Sequence, residues 1–510
     1  MKNNIDVLFI EPNSAKQSYQ GLAEVYSAIE TPTWSLLLAQ SCRAKGFNVN
    51  ILDANAERLT DLDATERIGK ENPRLACFVV YGQTPNSGTT NMSGAISLAE
   101  KLKSRHPGIK ICFVGSHTSA LPREVLEYPF VDIVLTNEGV YALHNLLKKD
   151  LGGSLENVKG IGWKPKDKIQ VINEPEIIVP QDKMDVDLPG YAWDLLPYKE
   201  KPFDLYRAHF WHSNYEHEGR SPFAAIYTSL GCNFKCNFCM INILNRTDNR
   251  EDAVSSDFNV MRYWSSDFIL KEFDKLQSYG VKHLRLSDEM FFLHKKHFLP
   301  LVKALAERDY KFNMWAYSRI DTCRKEYLSL FKKAGINWLA VGIEAANPVI
   351  RQEITKGKFK DINIRKIVNL IKENDISVVG NYIFGFPNEK IEDLQNTLDL
   401  ALELNCEFGN FYCAAALPGS PLYRTAIENG WELPNTFEAW GFYSYESTPL
   451  PTNYLTAQEV LAFRDEAWMK YNKNSIFLSM IEEKFGAVPR RNIEEKTKIK
   501  LKRKLLEKTC

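Results

Sequence analysis

Along the first 150 residues, short apolar runs alternate with segments of helical period. VLFIEP (7–12), VNILD (49–53), LACFVVY (75–81), KICFVG (110–115) and VDIVLT (131–136) read as strands. Between them lie TPTWSLLLAQSCRAKG, with a Thr-Pro start and a Gly stop, and GAISLAEKLKSRHPG, with apolar residues at helical spacing. Runs apolar on both faces, separated by helices, predict a parallel sheet covered on both sides. Residues 1–150 are therefore expected to form a doubly wound, Rossmann-like α/β domain whose ligands sit beyond the carboxyl ends of the strands. Residues 151–217 break this rhythm. GIGWKPKDKIQVINEP reads as a hairpin, and the aromatic, Pro-rich stretch after it as a connecting segment that packs along both neighbours. From residue 218 a second alternation begins: FAAIYTS, HLRLSDE, FNMWAYS, WLAVGIE, SVVGNYIFG and FGNFYCAA. Six such units predict a partial (β/α)6, TIM-like barrel over 218–430, with its chemistry on the loops after the strands. Residues 431–510 read as a helical C-terminal region in which Trp431, Trp440, Tyr443 and Tyr445 close the open side of the barrel.

A length of 510 residues suits two or three domains. Lys plus Arg and Asp plus Glu number 64 each, so no global charge calls for nucleic acid or a membrane surface. The uneven region is the tail, KTKIKLKRKLLEK, read as a solvated terminal helix. No apolar run is long enough to span a bilayer, and MKNNIDVLFIEPNS enters a strand directly rather than a signal peptide, so the expected location is cytoplasmic. Ten cysteines are too sparse for a disulfide scaffold. Cys42, Cys77, Cys112, Cys323, Cys406, Cys413 and Cys510 are scattered singly and read as small core residues. The other three cluster.

SLGCNFKCNFCMIN, directly after the first barrel strand, spaces Cys232, Cys236 and Cys239 as Cys-x3-Cys-x2-Cys. Close thiolates on a loop wrap a soft metal centre: an iron–sulfur cluster, Zn²⁺ or Cu⁺. A structural zinc site wants four ligands, and no matching second pair follows. Three thiolates on a [4Fe–4S] cluster leave one iron open for a substrate. Gly231 lets the chain turn, and Phe238 can shield the centre from water.

This motif resembles the signature of the radical S-adenosylmethionine (SAM) superfamily over about residues 220–430. Other stretches agree in order. LRLSDEMF carries Ser287, Asp288 and Glu289, WAYSRID carries Ser318 and Arg319, and VGIEAANPVIRQ carries Glu344, at positions where the family binds SAM. GNYIFGFPNEKIEDL resembles the loop flanking the adenine, and LPGSPLY resembles the family's Pro-Gly-Thr-Pro-Leu-Tyr segment with Ser420 for Thr. Physically, a zwitterion needs a carboxylate for its ammonium and a cation for its carboxylate, which Asp288, Glu289 and Arg319 could supply. The resemblance implies reductive cleavage of SAM to a 5′-deoxyadenosyl radical, with electrons from a partner such as flavodoxin or ferredoxin.

A Rossmann-like domain before such a barrel resembles the cobalamin (B12)-binding subfamily. VGSHTSALPREVLEYPFVDIVLTNEGVYAL is very like its Gly-Gly-x-His-x-Thr…Glu-Gly-Glu run, with Ser116 and Val140 as departures. The resemblance places Asp53, Gly115, Ser116, His117, Glu138 and Gly139 at the cobalamin. The loop after the first strand, EPNSAKQSYQG, holds no His, so the lower axial ligand of cobalamin-dependent mutases is missing; His117 reads as a locally hydrogen-bonded residue rather than its replacement. The implied function is a cobalamin-dependent radical SAM methyltransferase acting on an unactivated carbon. The alternatives are a non-methylating rearrangement or cyclisation with the same cofactors, and a non-catalytic iron–sulfur or cobalamin carrier or sensor. A tRNA methylthiotransferase would need a second cysteine triad and a basic, strand-rich C-terminal domain, neither of which is evident. Nothing in the sequence separates a small-molecule, lipid or peptide substrate.

Overall fold

A computed structural model describes residues 5–507 apart from 83, 85, 166–168, 309 and 356–361. Five strands, β1 (Val7–Glu11), β2 (Val49–Asp53), β3 (Leu75–Val80), β4 (Lys110–Gly115) and β5 (Ile133–Leu135), pair in parallel in the order β2-β1-β3-β4-β5. Phe9 sits beside Ile51 and Cys77, and Cys77 beside Cys112. Every residue of β3 is buried, because helices cover both faces. The helix Thr33–Ala44 packs on the face of Phe9 and Val79, and the helices Asp61–Glu71 and Met92–Arg105 pack on the face of Ile10 and Phe78. The helix Asp61–Glu71 is capped by Thr60, whose hydroxyl accepts the Asp63 N–H at 3.2 Å.

The expected hairpin is β6 (Ile161–Trp163) and β7 (Val171–Ile172), which extend this sheet antiparallel past β5; residues 166–168 of its turn lie outside the described residues. The rest of the connecting segment packs on both neighbours, as expected. The Tyr206 hydroxyl donates to Asp53 at 3.0 Å, Trp193 Nε1 donates to Glu272 at 2.8 Å, and Trp211 meets Trp315 edge-on with ring centroids 5.1 Å apart.

The second domain opens with β8 (Phe223–Ile226) and a short antiparallel pair, β9 (Ser229–Gly231) with β10 (Met261–Tyr263). Then come β11 (His283–Leu286), β12 (Asn313–Arg319), β13 (Ile336–Glu344), β14 (Ser377–Phe384) and β15 (Phe408–Cys413). Together with β8 these five make a parallel sheet in the order β8-β11-β12-β13-β14-β15. All six expected barrel strands are present, and among the described residues β8 and β15 do not pair, so one side stays open.

Helices Ala457–Asn472, Ser475–Phe485 and Ala487–Lys496 follow, the first behind a reciprocal cap between Thr456 and Glu459. The tail departs from the solvated helix expected of it. Helix ends at Lys496, and the chain then crosses to the N-terminal domain, where Lys502 N–H and O bond the Gln20 amide at 3.2 and 3.1 Å. Arg503 is 4% exposed and donates both Nε and Nη2 to Asp465 at 2.9 Å; this bidentate carboxylate holds the basic segment against the protein. No helix among the described residues is long and apolar enough to cross a membrane.

Two buried ion pairs join the domains. Glu30, before the helix Thr33–Ala44, accepts Arg285 Nη1 of β11 at 2.8 and 3.0 Å and meets His209 Nε2 at 2.6 Å. Glu138 meets Arg262 of β10 at 2.7 and 3.1 Å and accepts the Val179 N–H at 2.6 Å. Their side chains are 1% and 3% exposed, so removing one charge strands the other in a low-dielectric interior. Glu138→Gln should therefore cost about 3 kcal/mol, read as a lower urea midpoint with an unchanged far-UV spectrum.

Candidate cluster and cofactor site

The cysteine loop starts where β9 ends. Gly231 has φ +84°, and a Cβ there would stand 2.1 Å from the Val260 carbonyl, so only glycine makes this turn. The loop is tied down residue by residue. Cys232 N–H donates to Asn242 Oδ1 at 2.9 Å while Asn242 Nδ2 donates to Cys232 O at 2.7 Å. The Ser255 hydroxyl donates to Cys239 O at 2.5 Å. Asn237 donates its N–H to Ile354 O at 2.9 Å, and its carbonyl accepts the Leu422 N–H at 2.8 Å. Beneath the loop, the Asp288 carboxylate accepts Thr228 N–H, Thr228 Oγ1 and Ser229 Oγ, each at 2.6 Å. All three thiols line one cavity of about 250 Å³, together with Glu289, Ser318, Arg319 and Glu344.

Burial sets the electrostatics of this cavity. It pushes the Cys232 thiol up to about 12, Cys236 to about 11 and Cys239 well above its ordinary value, with neighbouring thiols adding to the rise at Cys232 and Cys239 and Glu344 at Cys236. The bare thiols thus keep their protons until a metal centre displaces them. Burial also raises Glu289 and Glu344 to about 7, with Arg285 opposing the first shift and Arg319 the second. Arg319 donates Nε to Asp321 at 2.6 Å and lies over the Phe234 ring, 3.7 Å from its centroid. Glu344 has φ +65°, a conformation that a non-glycine residue holds only when its surroundings enforce it; the β13–β14 register shifts between Gly342 and Glu344.

Seven of the sequence-predicted residues therefore meet in one cavity: Cys232, Cys236, Cys239, Glu289, Ser318, Arg319 and Glu344. Others are placed elsewhere. Asp288 is fully buried and saturated by Thr228 and Ser229, so it braces the cysteine loop and presents no free oxygen to a SAM ammonium. Ser287 is buried beside it, outside the cavity lining, with an unpartnered hydroxyl. Ser116 lines a small cavity of about 40 Å³ with Tyr81 and Gly82. Gly115 is explained by packing, since a Cβ would fall 2.1 Å from Val80 O. Gly139 turns the chain at φ +85° and Glu138 serves the ion pair with Arg262. Asp53 accepts the Ala56 N–H at 2.8 Å and the Tyr206 hydroxyl at 3.0 Å. His117 has its two ring nitrogens at Thr89 (3.3 Å) and Glu124 (3.1 Å), the local bonding expected of it, and lines none of the cavities described here.

Sequence reasoning missed Gly82 and Thr84, which reach from the end of β3 into the cysteine cavity, and Tyr317, Asn381 and Tyr412 on barrel strands. Alternation from Arg319 back to Tyr317 was the available signal for the inward-facing set. Behind Tyr317, Asn381, Tyr412 and Phe442 the cavity continues into a chamber of about 570 Å³.

Residues 226–401 match the family model of the radical SAM superfamily, and residues 19–147 match that of the B12 binding domain. The chain carries a B12 binding domain followed by a radical SAM domain. Among its relatives, an uncharacterized methyltransferase of Pyrococcus horikoshii is 25% identical over 91% of this chain and 92% of its own length. Anaerobic magnesium-protoporphyrin IX monomethyl ester cyclase of Rubrivivax gelatinosus is 25% identical over 86% of this chain and 72% of its own. The solved structure of the radical SAM methyltransferase TsrM from Kitasatospora setae, with cobalamin and a [4Fe-4S] cluster bound, shares the fold at a TM-score of 0.65 and 17% identity, over 96% of this chain and 99% of that one.

The donor set fits what a radical SAM domain carries. Among the described residues no three His, Cys, Asp or Glu side chains converge on a single ion. A cubane presents a different iron to each thiolate, so three thiols spread around one cavity suit a cluster better than zinc. Two carboxyls and a guanidinium in the same cavity match the charged ends of SAM. At the B12 domain, a Cβ on Gly88 would lie 1.8 Å from Ser116 Oγ, so the segments after β3 and β4 pack too closely for a side chain at position 88. The loop after β1 holds no His, and both ring nitrogens of His117 already have protein partners in Thr89 and Glu124. His117→Gln should thus leave the visible spectrum of bound cobalamin unchanged; a shifted spectrum would make His117 an axial ligand.

Proposed function

We propose that this protein is a cobalamin-dependent radical SAM methyltransferase that methylates an unactivated carbon. The observation that carries it is one cavity lined both by the three cysteines and by Gly82 and Thr84 from the carboxyl end of the N-terminal sheet. A ligand held at that end of a doubly wound sheet lies beside the cluster. When bound, the cluster and SAM supply a 5′-deoxyadenosyl radical, and cobalamin relays a methyl group from SAM.

The chain's residues position and insulate. Cys232, Cys236 and Cys239 hold the cluster, and Asp288 and Asn242 keep their loop in register. Glu289, Glu344 and Arg319 take the charged ends of SAM. Phe234 and Phe238 wall the cavity and exclude water, which a carbon radical needs if it is to meet only its intended partner. The chamber beyond Tyr317 and Tyr412 seats the substrate with its reacting carbon toward the cysteines.

With SAM carrying a deuterated methyl group and a turned-over substrate, the product should carry the label; an unlabelled product would indicate the rearrangement or cyclisation reading. Cys→Ala at any of the three positions should abolish 5′-deoxyadenosine formation after anaerobic reduction while cobalamin stays bound. Formation of 5′-deoxyadenosine by all three variants would exclude them as cluster ligands.

A further inference from the structure

The chamber is walled by Tyr26, Trp211, Trp315, Phe408 and Trp468, yet Lys496 and Arg464 stand among them, with the exposed Lys500 also on the lining. Lys496, the last residue of its helix, places Nζ 5.4 Å from the Phe408 ring centroid, 5.7 Å from Trp468, 5.8 Å from Tyr26 and 5.9 Å from Phe210. Among the described residues no carboxylate or carbonyl pairs with it, and its ammonium has only π faces. Burial, together with Arg220 and Arg464, lowers it to about 8. Arg464 is 2% exposed. It donates Nε to Phe411 O and Nη1 to Asp465, both at 2.7 Å, and lies 4.9 Å from the Tyr443 ring centroid, while its buried Nη2 has no hydrogen-bond partner among the described residues. The acids on the same wall are already used: Asp465 is held bidentately by Arg503, and Glu466 pairs with Lys470 at 2.8 Å. Asp465 is thus shared between Arg464 and Arg503 and Lys496 has no carboxylate among the described residues, so the wall carries more positive charge than its own acids answer, and partly buried charge of this kind marks a place for a counter-ion.

We infer that the chamber takes a substrate with an anionic oxygen group, carboxylate or phosphate, on a flat apolar body, the anion bound by Lys496 Nζ with the buried Arg464 guanidinium adding its charge from behind and the body stacked among the aromatic rings. This rests on the methyltransferase reading for the word substrate, but binding can be read without turnover. The anion anchors the far end of the molecule, and the neck of Tyr317, Asn381, Tyr412 and Phe442 passes its opposite end toward the cysteines.

The test titrates 4-phenylbutyrate, phenyl phosphate and neutral 4-phenylbutyramide into the reconstituted, cobalamin-loaded protein, reading tryptophan fluorescence. At least one acid should bind about tenfold more tightly than the amide, the size a charge-assisted hydrogen bond supports. Which acid leads distinguishes carboxylate from phosphate. Lys496→Met, which breaks no polar contact, should bring that acid to the affinity of the amide, and Arg464→Lys, which can keep the bond to Phe411 O, should weaken it in part. Equal affinity for acid and amide, no saturable binding of any of them, or a preference that survives Lys496→Met overturns the inference. A preference present without cobalamin and lost on loading assigns the cations to the corrinoid phosphate, and overturns it too. The three Cys→Ala proteins should keep the acid preference although 5′-deoxyadenosine is lost, so a failed radical reaction and a failed anion site give different results.

Discussion

A six-stranded parallel sheet that does not close leaves the interior of a barrel open along one seam, and most of this molecule answers that opening. Arg285 points inward from β11, where six strands alone offer its charge too little. The N-terminal domain supplies Glu30, at 2.8 Å, and the connecting segment adds His209 to the same carboxylate. Burying such a charge is tolerable only when partner and geometry are both fixed, so the two domains and their connector have one arrangement in which all three groups are satisfied. Trp315 and Tyr317 lie under the same guanidinium at 4.8 and 5.2 Å, and Tyr317 is also on the neck between the two cavities. The seam, the domain contact and the path to the cysteines thus share a set of atoms.

The strands were readable because they are buried on both faces. An uninterrupted run such as LACFVV has few other homes in a soluble chain, and the same holds for the barrel strands. The cysteine triad was readable because thiols at that spacing have few alternative uses. What escaped is what depends on the approach of segments far apart in sequence. Asp288 and Glu289 are neighbours of the same chemistry, yet one turns to Thr228 and the other to the cavity. Resemblance to the Glu-Gly-Glu run places Glu138 at the cobalamin; its partner Arg262 is 124 residues away and has no local signature. The tail reads as a solvated helix from its charge, and only the arrival of Asp465 beside Arg503 explains why that one residue is buried while Lys498, Lys500, Lys502 and Lys504 stay exposed.

The two cavities differ in the charge they are built to accept. On the cysteine side, Glu289 and Glu344 are raised to about 7 by burial, so the pocket carries less negative charge than two ordinary carboxylates would. Bringing a cationic group beside them favours their ionised forms, and the pocket's charge then follows its occupant. The chamber behaves otherwise. A guanidinium cannot shed its proton to relieve its burial, so Arg464 stays charged, and its answer is either Asp465, already shared with Arg503, or a ligand.

That contrast has a consequence for the order of the molecule's parts. The neck between the cavities is made of Tyr317, Asn381, Tyr412 and Phe442, groups that hydrogen-bond or stack but carry no charge. A charged molecule spanning it would leave its ionic end on one side and present an uncharged portion to the other. Cations held among rings therefore favour substrates whose charge lies away from the cysteine cavity, and disfavour the reverse orientation, which would lose its partners and set an anion beside Glu289 and Glu344. Orientation is then settled by electrostatics at a distance from the reacting carbon, without any base or nucleophile having to be placed at the carbon itself.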